Sequence, residues 1–300
     1  MRPLPAEALH LPFGPGPYRM SMDLTTVPEA AWFEIDALYP AEMVEKQRLL
    51  AERRAEVFAA EPDSEAARAE TLAVAAGAVA AHHPGWFERD GAVLRNHLTG
   101  EAWDMAAPTL DPLELAGRLV QEDLCLIQVS PDGAPMLTAA VLCFPSRWRL
   151  SEKIGKPLAA VHGPVPLYAD RLARPVDRFM RHVKAGHVAC RLNWSLPDDP
   201  ALFQPTGKWR TGAQPEITAA NAGEKVFLRV ERQTLRRLPA TGAVLFGIRV
   251  HVYPLTRIAH RAADLAAAVR ALPHEIMHYK SLLPFREALL AWLDARLTDC

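Results

Sequence analysis

The stretch LPHEIMHYK, residues 272–280, sets His274, Glu275 and His278 in the spacing H-E-x-x-H. On a helix this stacks two imidazoles one turn apart beside a carboxylate, the arrangement that binds zinc and activates its water. Such chemistry needs a third ligand. A metzincin would continue with glycine and histidine where Ser281 and Pro284 stand, and Glu287 falls further along the same helical element. Pro273 marks a helix start, which puts the histidines in a first turn and not in a rigid middle. A solvated helix start is therefore expected, with a zinc hydrolase as the alternative.

The remaining nominal sites are sparse. His82 and His83 close an apolar helix before Pro84 and read as a helix terminus. Cys125, Cys143, Cys190 and Cys300 show no C-x-x-C spacing, and three of them lie in apolar runs, as small buried thiols do. There is no G-x-G-x-x-G, P-loop or G-x-S-x-G, so nucleotide cradling and a hydrolase elbow lack support.

A net charge of −1 and a pI of about 6.8 over 300 residues argue against nucleic acid or an anionic membrane as partner. The proline-rich opening lacks a signal-peptide core, and the apolar run LAVAAGAVAA at 72–81 is too short to span a bilayer. A cytoplasmic protein is expected.

The elements that would position any site follow from periodicity. Residues 1–40, rich in proline and aromatics, predict an extended arm over the main domain. Helical spacing predicts a helix over 41–60 and a second over 64–83 with Ser64 as N-cap, the two forming an antiparallel pair. A small hairpin over 91–105 and a helix over 111–123 complete a first region, 1–122. DLCLIQV (123–129) and MLTAAVLCF (136–144) flank the turn-forming SPDGAP and read as a hairpin. About forty residues of helix and loop lead to three more β-rich segments, 187–196, 225–239 and 243–255. Helices at 260–271 and 274–297, the second interrupted at Pro284, form a last region, 259–300. Two strands, a crossover and three strands is the order of a PAS-type domain. The expectation is an α+β chain with a PAS-like five-stranded antiparallel sheet over 123–258 and helical additions at both ends.

Two long stretches, RWRLSEKIGKPLAAVHGPVP at 147–166 and FLRVERQTLRRLP at 227–239, carry a family resemblance. With LPFGPGPYRM, RLNWSL and LPHEIMHYKSL, they resemble the haem-dependent oxidative N-demethylases over about residues 10 to 295. The resemblance implies a PAS-like fold holding haem b. It implies NADPH- and oxygen-dependent removal of a methyl group from a small amine such as dimethylamine, giving a primary amine and formaldehyde. Electrons would come from a separate flavin and iron–sulfur reductase component, in keeping with a chain that lacks a nucleotide fingerprint and a cysteine cluster.

Residue types agree with that implication. Haem needs an apolar slot and an axial side chain with a free lone pair. His162, between an apolar helical stretch and Gly163-Pro164, is the expected iron ligand; a helix-terminal histidine bonded to a carbonyl is the alternative. His182 and His187 come next. Propionates call for cations: Arg147, Arg149, Lys153, Arg229 and Arg232. In an extended strand Arg229 and Glu231 share one face, Val230 and Arg232 the other. Glu231, with Arg232, Gln233 and Thr234, is expected to attract a protonated amine or serve proton transfer and oxygen, unless the strand turns its charges to solvent. Asn193 and Trp194 are further pocket residues. A haem- or ligand-binding sensor without turnover is the competing function.

Overall fold

The computed structural model describes residues 3–14 and 16–297, so Cys300 lies outside the described residues. Its strands are β1 (Thr25–Val27), β2 (Phe58–Ala60), β3 (Phe87–Asp90), β4 (Val93–Asn96), β5 (Ala102–Asp104), β6 (Asp123–Val129), β7 (Pro135–Val141), β8 (Val188–Ser195), β9 (Phe227–Arg237) and β10 (Val244–Pro254). They form a seven-stranded antiparallel sheet, in the order β1-β8-β9-β10-β6-β7-β2, and a small sheet β3-β4-β5.

The five strands expected from alternation are the middle of the larger sheet. The number five is corrected to seven, because a three-residue strand extends each edge. β2 lies where helical spacing predicts the end of a helix. Pairing of Phe58 with Val141 and Ala60 with Ala139 on β7 overrides the helix preference of the two alanines in F-A-A, as tertiary context does to local propensity. The expected hairpin over 91–105 gains β3 and becomes three-stranded. The SPDGAP turn closes as predicted, with Gly133 at φ +87° and Ser130 N–H donating to the Ala134 carbonyl at 2.9 Å.

Helices Tyr39–Glu52 and Glu65–His82 replace the expected pair, but the second packs on the short helix Pro112–Gly117 and not antiparallel to the first. Ser64 stands at the N-cap without capping: its hydroxyl donates to the Glu61 carbonyl. The predicted helix over 111–123 ends at Gly117, where a Cβ would stand 2.6 Å from Val141, so glycine lets helix and β7 approach.

Two large apolar clusters pack against the sheet, one around Trp32, Tyr39 and Leu126, the other joining β9 and β10 to helices Ala262–Ala271 and Arg286–Ala295. The break in the C-terminal helix falls at Ser281 (φ +56°), before Pro284. Between β7 and β8 the chain crosses over through helices Leu158–Val161, Tyr168–Arg171 and Ala173–His182. No helix among the described residues is long and apolar enough to cross a membrane.

Candidate functional site

Side chains alternate along a strand, so one face of β9 presents Arg229, Glu231, Gln233 and Leu235 together. They line a cavity of about 470 Å³, within the usual range for small-molecule sites. Arg191 and Asn193 of β8 and Phe246 and Ile248 of β10 continue this wall. The crossover closes it with Leu158, His162, Tyr168, Leu172, Val176 and Met180. The arm, residues 12–14 and 16–23, contributes a third side, and Lys208, Ile276, Tyr279 and Lys280 a fourth.

His162 is the residue after the helix Leu158–Val161. Its Nδ1 lies 2.9 Å from the Leu158 carbonyl, which can only accept, so Nδ1 carries the proton and Nε2 the free lone pair. The ring stacks on Tyr168 at 4.4 Å and 10°. Burial pushes its pKa down to about 4, which keeps the imidazole neutral at physiological pH. The carbonyl-bonded histidine and the oriented ligand, alternatives in sequence, are compatible with one geometry.

Glu231 is the polar centre. Asn193 Nδ2 and Gln233 Nε2 donate to its Oε2 at 3.2 and 2.8 Å. Burial raises its pKa, but hydrogen bonds from Ser146, Asn193 and Gln233, with the Arg229 charge, outweigh this and hold the carboxyl below its ordinary value. Arg229 itself is spent on the fold. Its guanidinium donates to Ser146 Oγ at 2.8 Å and to the carbonyls of Phe144, Ala201 and Leu202 at 2.8 to 2.9 Å. Arg147, held in a left-handed backbone conformation at φ +61°, pairs with Asp198 at 2.8 Å. Lys153 donates to the Val161 carbonyl, beside His162.

Four residues absent from the sequence reading complete the polar end. Burial depresses Lys208 and Lys280 to about 8 each. Lys208 donates to Tyr279 Oη at 2.6 Å, and Lys280 to the Trp194 carbonyl. Arg191 has a buried Nε without a hydrogen-bond partner among the described residues, and burial lowers its pKa. Arg191 was within reach of sequence reasoning, since it shares a strand face with Asn193 in RLNWSL. Tyr279 and Lys280 belong to the HEIMHYK stretch, whose histidines drew the attention instead. Lys208 sits in a loop that gives no signal.

Other expected residues fall elsewhere. Trp194 lines the cavity and meets Phe13 edge-on at 5.9 Å. Arg149 does not line it; its side chain is 56% exposed and faces Glu152. Arg232 and Thr234 occupy the opposite face of β9, where Arg232 Nε meets Glu34 at 3.2 Å; period-two alternation excludes both from the cavity. His182 and His187 are exposed. In the six-residue helix His274–Tyr279, His274 and Glu275 are exposed and His278 packs edge-on against Trp209, 5.1 Å away.

The cavity thus combines an apolar lining from the crossover with an excess of cations. Arg19, Arg147, Lys153, Arg191, Lys208, Arg229 and Lys280 line it against Asp23 and Glu231 alone. A flat apolar ligand bearing carboxylates suits this combination of a neutral imidazole, apolar walls and a guanidinium whose Nε has no hydrogen-bond partner among the described residues. Among known families, residues 23–290 match the one described as haem-dependent oxidative N-demethylase, alpha subunit-like.

Proposed function

The chain belongs to the haem-dependent oxidative N-demethylase, alpha subunit-like family, and from that premise we propose that it binds haem b in this cavity and demethylates a small amine. The observation that carries the reading is His162: its Nδ1 is fixed by the Leu158 carbonyl and its Nε2 is left free in the cavity wall. His162 would be the axial ligand, with Arg191 and the lysines at the polar end meeting the propionates. When bound, haem supplies the oxygen-activating redox chemistry. The middle strands β8-β9-β10-β6-β7 and the crossover would be a PAS-like haem fold extended at both edges.

The residues of this chain bind and orient. Glu231, ionised and held by Asn193 and Gln233, attracts and positions an alkylammonium ion. Apolar side chains at Leu235, Phe246 and Ile248 exclude water from the methyl group. The net reaction takes a secondary N-methyl amine, oxygen, NADPH and a proton to the primary amine, formaldehyde, water and NADP⁺. The chain carries no nucleotide fingerprint, and an alpha-type subunit implies other subunits; a separate flavin and iron–sulfur reductase would supply the electrons.

The test is an absorption spectrum of the haemin-reconstituted chain beside His162→Ala, followed by formaldehyde release from a panel of methylated amines with a surrogate reductant. A stoichiometric Soret band altered in the variant, and formaldehyde from at least one amine, are expected. Absence of specific haem uptake removes the reading. Haem uptake without formaldehyde from any amine leaves a haem-binding protein and removes the enzyme.

A further inference from the structure

On the far side of the sheet from the cavity, two histidines and a glutamate converge from three separate parts of the chain. His10 comes from the arm, Glu34 from the segment before helix Tyr39–Glu52, and His251 from β10. Their ligand atoms lie within 4.8 Å of one another, the single such histidine-containing cluster among the described residues. Glu34 Oε2 is 3.0 Å from His251 Nε2 and 3.3 Å from His10 Nε2, while Glu34 Oε1 is 3.1 Å from His10 Nε2.

These separations are those of donor atoms around one ion. Nitrogen and oxygen ligands about 2.0–2.2 Å from zinc, at angles between 90° and 109°, stand roughly 2.9 to 3.4 Å apart. The two edges through Glu34 already have this length. Since the imidazole nitrogens are no more than 4.8 Å apart, a shift by His10 of about 1.5 Å or less completes the third edge.

The surroundings orient the ligands from behind. Glu7 Oε1 faces His251 Nδ1 at 3.3 Å, the carboxylate–histidine support common to metal-binding imidazoles, and Arg257 pairs with Glu7. Arg232 Nε, 3.2 Å from Glu34 Oε1, holds the other carboxylate oxygen. His251 is fully enclosed, whereas the side chains of His10 and Glu34 are each 21% exposed, which gives an ion a way in.

We propose that His10, Glu34 and His251 form a site for a divalent transition-metal ion of the zinc class. Two imidazoles and one carboxylate suit zinc better than magnesium or calcium, which prefer oxygen throughout. The ion displaces the Nε2 protons now shared with Glu34 and releases them to solvent. Because residues 12–14 and 16–23 wall the cavity directly after His10, the metal fastens the arm over the site.

The test is equilibrium dialysis of the full-length protein against buffered Zn²⁺, with zinc counted per chain, in wild type, His10→Ala, Glu34→Gln and His274→Ala. Trypsin cleavage at the exposed Arg19 reports the arm in parallel, and circular dichroism checks that each variant is folded. The expected result is one zinc per chain in wild type and His274→Ala, and binding at least tenfold weaker in the two site variants. Zinc should slow cleavage at Arg19 several-fold in wild type and not in His10→Ala. No retained zinc in wild type, equal retention in His10→Ala, or a loss confined to His274→Ala overturns the site. Bound zinc with unchanged cleavage overturns the fastening.

Discussion

The two faces of the strand pair β9–β10 carry similar numbers of buried charges and treat them differently. On the far face, Arg249 meets Asp36 at 2.9 Å and Glu42 at 2.8 Å, Arg232 meets Glu34, and His251 lies between Glu34 and Glu7. Each cation there has its anion. On the cavity face Arg191 Nε has no hydrogen-bond partner among the described residues, Lys280 donates to a backbone carbonyl, and Lys208 to a phenol. Three half-buried cations gathered around one carboxylate, Glu231, are costly to keep together, so a fold that does so has another use for them. The far face keeps its charges balanced within the fold, whereas the cavity face keeps an excess of cations that suits an anionic ligand.

The sharpest way to break this contrast is His162→Ala, which is expected to abolish ordered haem binding and turnover together, as read by the Soret band and formaldehyde release. Next in size is Arg249→Met. It leaves Asp36 and Glu42 buried without their cation and should cost about 3–5 kcal/mol in a urea titration. Haem uptake by the fraction that folds should be unchanged. Glu231→Gln should do the opposite: stability and Soret band near wild type, and kcat/KM for the amine lower by roughly tenfold or more, the worth of a lost charge-assisted contact to the alkylammonium ion. If Glu231→Gln unfolds the chain while Arg249→Met does not, the division between faces is wrong. Arg191→Met should weaken haem binding by roughly tenfold, the worth of one charge-assisted hydrogen bond.

The smallest effect is one of pH. Burial holds His162 neutral down to about pH 4, whereas an unfolded histidine titrates near 6.5. Above that value the residue is neutral in both states and contributes no slope. As pH falls from 6.5 toward 4 the unfolded chain takes up a proton that the folded chain refuses, so stability declines. In His162→Phe, studied without haem, the slope over this interval should be shallower by up to one proton.

The contrast also explains what could be foreseen from the amino-acid order. Alternation in LRVERQTL placed Arg229 and Glu231 on one face and Arg232 on the other, but could not say which face would meet a ligand. That depends on what packs above each, which is a non-local matter. Arg232 and Thr234 were therefore drawn toward the site alongside Glu231, and the structure separates them. β1 and β2, three residues each, carry too little pattern to be seen before their partners are known. The five longer strands, the turn at SPDGAP and the place of His162 in the crossover were all legible, because each is fixed by local chemistry. Lys208 and Lys280 gain meaning only from burial beside Glu231.

The arm across the cavity bears on the order of events during biosynthesis. Residues 7–23 are translated before every strand they rest on, and Tyr253, whose hydroxyl donates to the Ala8 carbonyl, follows more than two hundred residues later. The arm therefore cannot settle until the sheet is complete. Until then the cavity lacks one wall, and the proposed haem would have its widest entry in that interval. Anything that docks the arm early would compete with loading, so a fusion or truncation at this end should change how much haem the purified protein carries.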